Sequence, residues 1–167
     1  KILETADSCL KVFDPFSGTA TTPLSAAYRG HPSVAIDINP FLVWLGKTKL
    51  RHYSKSVVYE VKTVSGRIQS AIDNNIAASC PLPPIANIER WWGERELQFL
   101  SGVKGEIDNY CYTHSESKDL LLVAFCRAVI DLSNAAFNHQ SMSFKDKKNG
   151  DENGQQELWP EEAYDLQ

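Results

Sequence analysis

Two acids carry the most legible chemistry in this sequence. Asp14 opens the run Asp14-Pro15-Phe16-Ser17-Gly18-Thr19-Ala20-Thr21-Thr22, and Asp37 opens Asp37-Ile38-Asn39-Pro40. Each follows a short β-prone apolar run, residues 10–13 and 34–36. In an open α/β sheet the ligand lies outside the carboxyl ends of the strands, so acids at two strand tips face one ligand. A carboxylate that closes the second strand after a glycine turn can accept from both hydroxyls of an adenosine ribose. Charge then narrows the choice of nucleotide. Dinucleotides and nucleoside triphosphates want several close glycines or a lysine around their phosphates. Residues 14–22 hold one glycine, Gly18, no lysine, and an aspartate that would repel a phosphate. S-adenosylmethionine has the ribose, lacks the phosphates and adds a sulfonium and an ammonium, which suits carboxylates at both tips.

The elements that must position these acids read as strand, helix, strand, helix. The first run stops at Asp14-Pro15, because proline drives the residue before it out of helical geometry. Thr21–Tyr28 has helical composition with Pro23 in its first turn, and Arg29-Gly30 supplies a terminal cation and a C′ glycine. Pro40 opens a second helix that runs to Leu50. Neither strand alternates cleanly, as expected of parallel strands covered on both faces, and a right-handed βαβ crossover follows. Further on, residues 57–76 recur at helical spacing, 80–84 break it, and 89–110 and 118–132 read as two more helices. The last is apolar almost all round and is expected to be buried. Residues 145–157 contain no apolar side chain and read as a solvated linker; 163–166 read as the start of a third strand. The expected organisation is a cofactor-binding βαβα unit at 1–55, a helical insertion packed on the sheet at 56–144, and a flexible linker with the start of a strand at 145–167.

Composition bounds the rest. The chain has 167 residues, 43% of them hydrophobic, with 17 Lys+Arg against 21 Asp+Glu and a net charge of −4. That is one ordinary globular domain, and it excludes a disordered, collagen-like or disulfide-scaffold chain. Slight acidity excludes a free-standing nucleic-acid clamp, which needs a dense Lys/Arg face, so most of any grip on DNA lies elsewhere. No apolar run approaches the ~20 residues that span a bilayer, and no signal-peptide pattern is present, so the expectation is a soluble, cytoplasmic protein with no membrane partner. Cys9, Cys80, Cys111 and Cys126 form no Cys-x-x-Cys pair and read as reduced packing thiols, with no metal site. The chain has no initiator Met and ends in an apolar-containing segment, so it reads as a cut from a longer protein.

Residues 14–22 with 37–40 closely resemble the cofactor motifs of DNA amino-methyltransferases, the enzymes that methylate the exocyclic amine of cytosine (N4) or adenine (N6) in restriction-modification systems. The resemblance is specific over residues 12–50. It extends more faintly to Arg90-Trp91-Trp92, the apolar helix and Ser133-Asn134, which look like the helical insertion of a bacterial subgroup that mostly methylates cytosine. It implies a Rossmann-like class I S-adenosylmethionine-dependent methyltransferase fold, α/β with a partial parallel sheet. It also implies a cofactor site made by Asp14, Pro15, Phe16, Ser17, Gly18, Thr19, Ala20, Thr21, Asp37, Ile38 and Asn39. Residues 14–20 would wrap the methionine moiety, Asp37 would hold the ribose and Ile38 would cover the adenine. Ala20 stands where many relatives have a second glycine, and its methyl group is expected to fit with the backbone at negative φ.

The family's catalytic loop, a polar residue followed by Pro-Pro and an aromatic that stacks on a flipped base, is not found. The one Pro-Pro is Leu82-Pro83-Pro84-Ile85, which reads as a helix-terminating linker, and Cys80-Pro81 has the wrong order for a cysteine nucleophile. No catalytic residue is therefore assigned; the loop is expected downstream of Gln167 or on a partner chain. Alone, the chain is expected to bind S-adenosylmethionine poorly, to transfer no methyl group, and to need the missing strands in cis, in trans or by self-association. Alternatives are an RNA or small-molecule methyltransferase, or a non-catalytic subunit keeping the fold. Trp91 and Trp92 read as packing aromatics rather than base-stacking ones, His31, His52, His114 and His139 as surface or capping residues, and the basic residues Lys145, Lys147 and Lys148 as a solvated loop.

Overall fold

The computed structural model describes residues 8–110, 116–136 and 143–144. They fall into two units, Lys1–Ser133 and Asn134–Gln167. In the first unit β1 (Val12–Asp14) pairs in parallel with β2 (Ser33–Ala35), in the register Val12↔Ser33, Phe13↔Val34, Asp14↔Ala35. Between them α1 (Thr21–Tyr28) packs against both strands. It ends in a Schellman motif: His31 N donates to Ala26 O at 2.9 Å, Gly30 N to Ala27 O at 3.1 Å, and Gly30 takes φ +71°, a left-handed backbone that glycine adopts without strain. After β2, Asn39 caps α2 (Pro40–Leu50) by accepting from Phe41 N at 3.0 Å, with Pro40 at the first helical position. The strand-helix-strand-helix order read from the sequence is the one observed, and the chain is α/β with a small parallel sheet.

Three longer helices follow: α3 (Lys55–Asp73), α5 (Glu94–Tyr110) and α6 (Glu116–Asp131), with a single turn, α4 (Ile88–Trp91), ahead of α5. Ser54 Oγ caps α3 through Val57 N. Val64 and Ile68 of α3, Ile107 of α5 and Leu121 of α6 form the buried core, with Val103, Leu122 and Phe125 packed against it. This helical part meets the strand part through α2. Trp44 Nε1 donates to Asp119 Oδ1 of α6 at 2.9 Å, and Arg51 reaches the other oxygen at 3.2 Å.

Three expectations need correction. The helix expected over 89–110 is broken at Trp92 and Gly93, because extended Trp92 (φ −138°, ψ 136°) sends its indole N–H to the Val129 carbonyl of α6. Helix α6 is not buried all round: α2, α3 and α5 lie against it, and Leu121 is enclosed while Ile130 stays about half exposed. His31 is not a surface residue; it is buried, its Nδ1 accepts from Leu10 N at 3.4 Å, and its Nε2 has no hydrogen-bond partner. In the second unit, β3 (Ala135–Ala136) pairs antiparallel with β4 (Ser143–Phe144), a ladder that the sequence reading missed. Cys111, His114, His139, the 145–157 linker and the 163–166 strand lie outside the described residues. Among the described residues no helix is long and apolar enough to cross a membrane.

Candidate functional site

The chain leaves β1 in a tight turn that is tied to the end of β2. Asp14 accepts from Phe16 N through Oδ1 at 3.2 Å, closing an Asx turn over Pro15. Ser17 N then donates to Ile36 O at 3.0 Å, and Gly18 N donates to Asp37 Oδ2 at 2.8 Å. The other Asp37 oxygen accepts from Asn39 N at 2.8 Å. The two acids read from the sequence are thus at neighbouring strand tips, and residues 14–18 bridge one tip to the other. Gly18 has φ +51°, and a Cβ built there would meet nothing within 4 Å, so the turn needs glycine for its backbone conformation rather than for space.

Ala20 departs from expectation. It takes φ +63°, left-handed geometry that costs a Cβ-bearing residue about 1–2 kcal/mol. Packing holds it there: Ala20 is buried, and the space that a Cβ on Gly46 would fill begins 3.0 Å from the Ala20 methyl. Its carbonyl accepts from Leu24 N at 3.1 Å and so starts α1, with no side-chain cap.

Beside the acids two large apolar side chains stand in solvent. Ile38 is 100% exposed and Phe16 88% exposed, so neither side chain serves the core. Pro15, Thr19, Thr21 and Asn39 are exposed as well, whereas Ser17, Gly18, Asp14 and Asp37 are half-buried. All eleven residues named from the sequence therefore lie in two stretches flanking one pair of strand ends. Two residues of the arrangement went unnoticed. Lys49 Nζ, from the last turn of α2, donates to Thr19 O at 2.6 Å and orients the carbonyl just before the left-handed residue. Gly46 lets α2 approach the turn; a glycine inside a helix pattern is its only sequence trace.

The Pro-Pro segment is not at this site. Residues 80–83 and Ile85 line a hollow of about 570 Å3 between that loop, α5 and α6. Trp92 lines the same hollow, and its ring lies 6.4 Å from that of Trp91. Among the described residues no His, Cys, Asp and Glu side chains gather in a group that could hold a metal ion. Compared with protein-family models, curated proteins and solved structures, the chain matches none.

Proposed function

We propose that this chain is the S-adenosylmethionine-binding part of a DNA amino-methyltransferase that modifies the N4 amine of cytosine or the N6 amine of adenine, within a Rossmann-like class I fold. The observation that carries the reading is the coupling of the two strand tips. Asp37 Oδ2 holds Gly18 N, and next to it stands Ile38, a large apolar side chain entirely in solvent. A protein gains nothing for its own stability by placing an isoleucine there, whereas an adenine ring laid over it would be desolvated by it. Asp37 has two oxygens with one backbone donor on each, which leaves acceptor capacity for a ribose diol. Asp14, with Oδ1 turned to its own loop, leaves Oδ2 for the cationic amino-acid end of the ligand.

In the complete reaction the target amine would attack the methyl carbon in line with the departing sulfur, and the neutral thioether would leave. This segment contributes placement of the cofactor, which is a large share of the work in a transfer between two bound reactants. The polar group that would hold the amine is supplied by another segment or chain, and that segment also carries most of the contact with DNA.

Calorimetric titration with S-adenosylhomocysteine tests the reading. The expected result is saturable one-to-one binding that is weak for a cofactor, with Kd on the order of 0.1–1 mM. Ile38→Glu separates a ligand role from a structural one, because a fully exposed side chain can be replaced without changing the melting temperature. It should abolish the heat signal and leave the melt where it was. Absence of saturable binding by the wild-type chain at millimolar ligand overturns the assignment, as does unchanged affinity in Ile38→Glu. Tritiated methyl transfer to mixed-sequence DNA by the chain alone is expected to stay at background.

A further inference from the structure

The loop after α3 is tied to α5 at its first residues by specific contacts. Ala78 N donates to the buried Glu106 at 2.6 Å. Cys80 N donates to Ser101 O at 3.2 Å, and Ser101 Oγ donates back to Cys80 O at 2.7 Å. At this clamp α5 approaches so closely that a Cβ on Gly105 would clash with the Ala78 carbonyl oxygen. Beyond it, Pro81, Pro83 and Pro84 fix their own φ, and Ile85 N turns back to Pro83 O at 2.8 Å. Clamped to α5 at residues 78–80 and stiffened by proline beyond, the segment is restrained from folding its later residues down onto α5 and α6. The space it keeps open is the hollow of about 570 Å3.

The walls state what would fit. Trp92, Leu97, Leu100, Phe125 and Val129 give aliphatic and aromatic surface. The polar groups that reach the hollow are engaged elsewhere: Ser101 Oγ with Cys80 O, Trp92 Nε1 with Val129 O at 2.8 Å, and Lys104 with Asp108 in an ion pair. The Asp108 carboxylate at the wall is engaged on both oxygens, by Lys104 and by Lys118 at 3.2 Å. A charged ligand would compete with these partly exposed ion pairs and lose its own hydration against apolar walls, while an uncharged apolar one displaces only water from apolar surface. The volume is that of a small-molecule pocket, and a helix some 10–12 Å across with its side chains would not enter it.

We propose that this cavity is a preformed binding site for a compact, uncharged aromatic molecule of about two or three rings. It shares no residue with the strand-tip site, so the two readings stand or fall separately.

Titration of the 167-residue chain with N-phenyl-1-naphthylamine, excited by energy transfer from tryptophan, is the test. One saturable site with Kd on the order of 1–10 µM is expected. Val129→Phe fills the hollow and should weaken binding about tenfold or more at an unchanged melting temperature. Should that variant not fold, the wild type supplies a second measurement. Saturating dye should slow N-ethylmaleimide alkylation of Cys80, which lines the hollow, several-fold while leaving exposed Cys9 unaffected. Absence of saturable binding overturns the proposal. So does dye binding at many sites per chain, or one-site binding that neither Val129→Phe weakens nor Cys80 alkylation reports.

Discussion

Asp37 has two duties that a single substitution would mix. Its carboxylate is the acceptor for Gly18 N and Asn39 N, so it staples the turn before any ligand arrives. Asp37→Ala strands both donors; at this half-buried place the expected cost is about 1–2 kcal/mol, read as a lower denaturant midpoint with an unchanged m-value. Gly18→Ala isolates the backbone contribution. With no atom near the added methyl, its cost is the left-handed conformation alone, about 1 kcal/mol, and a variant as stable as wild type would show that the turn can relax to negative φ. These residues were legible in the sequence because aspartate, proline and glycine announce turn geometry by type. Ala20 was not, since alanine carries no signal of positive φ, and what holds it there is its burial against α2. Lys49 was invisible for a similar reason: its bond to Thr19 O spans thirty residues, and a lysine in the last turn of a helix is ordinarily explained by the helix dipole.

At the level of elements, the pairing of turn and helix makes a reciprocal prediction. Gly46→Ala brings two methyl carbons to 3.0 Å and should destabilise by about 1–2 kcal/mol through overpacking. Adding Ala20→Gly removes the opposing methyl and the left-handed strain together, so the double variant should recover most of the loss. Strict additivity in that cycle would show that α2 does not press on the turn. Helix α5 offers a pH prediction. The bond from Lys104, assisted by Lys118 at 3.2 Å, holds the Asp108 carboxyl below its ordinary value of 3.8. A lowered carboxylate pKa contributes stability that is present above 3.8 and lost as pH falls through the folded-state value. Asp108 is 42% exposed, so the effect is modest, at most about 1 kcal/mol, and Asp108→Asn should flatten the acid limb of the stability curve without altering it at pH 7 beyond that amount. Helix ends were readable where a cap marks them: Thr21–Tyr28 and Pro40–Leu50 have the bounds expected from Gly30 and Pro40. The break before α5 was unreadable because its cause is the Val129 carbonyl, on a helix well downstream.

On the scale of the molecule, the sheet is the unfinished part. Phe13 and Val34 are register partners and so project from the same face, and Ile36, two residues on, joins them. They are 61%, 62% and 54% exposed, although parallel sheets elsewhere are covered on both faces. Among the described residues the sheet also has only two strands, which leaves a free hydrogen-bonding edge on each. Both features favour self-association when nothing else covers them. Sedimentation velocity should show the weight-average mass rising with concentration. Val34→Lys, which puts a charge in the middle of the bare face, should return the chain toward monomer while changing its stability by no more than about 0.5 kcal/mol, since a side chain already in solvent supports little packing. Association undiminished by Val34→Lys and by Phe13→Lys would place the contact elsewhere. Asp37 and Ile38 lie at the strand tips rather than on that face. Val34→Lys should therefore keep whatever affinity the wild type has for S-adenosylhomocysteine, and it gives the strand-tip site a monomeric background in which binding can be measured free of assembly.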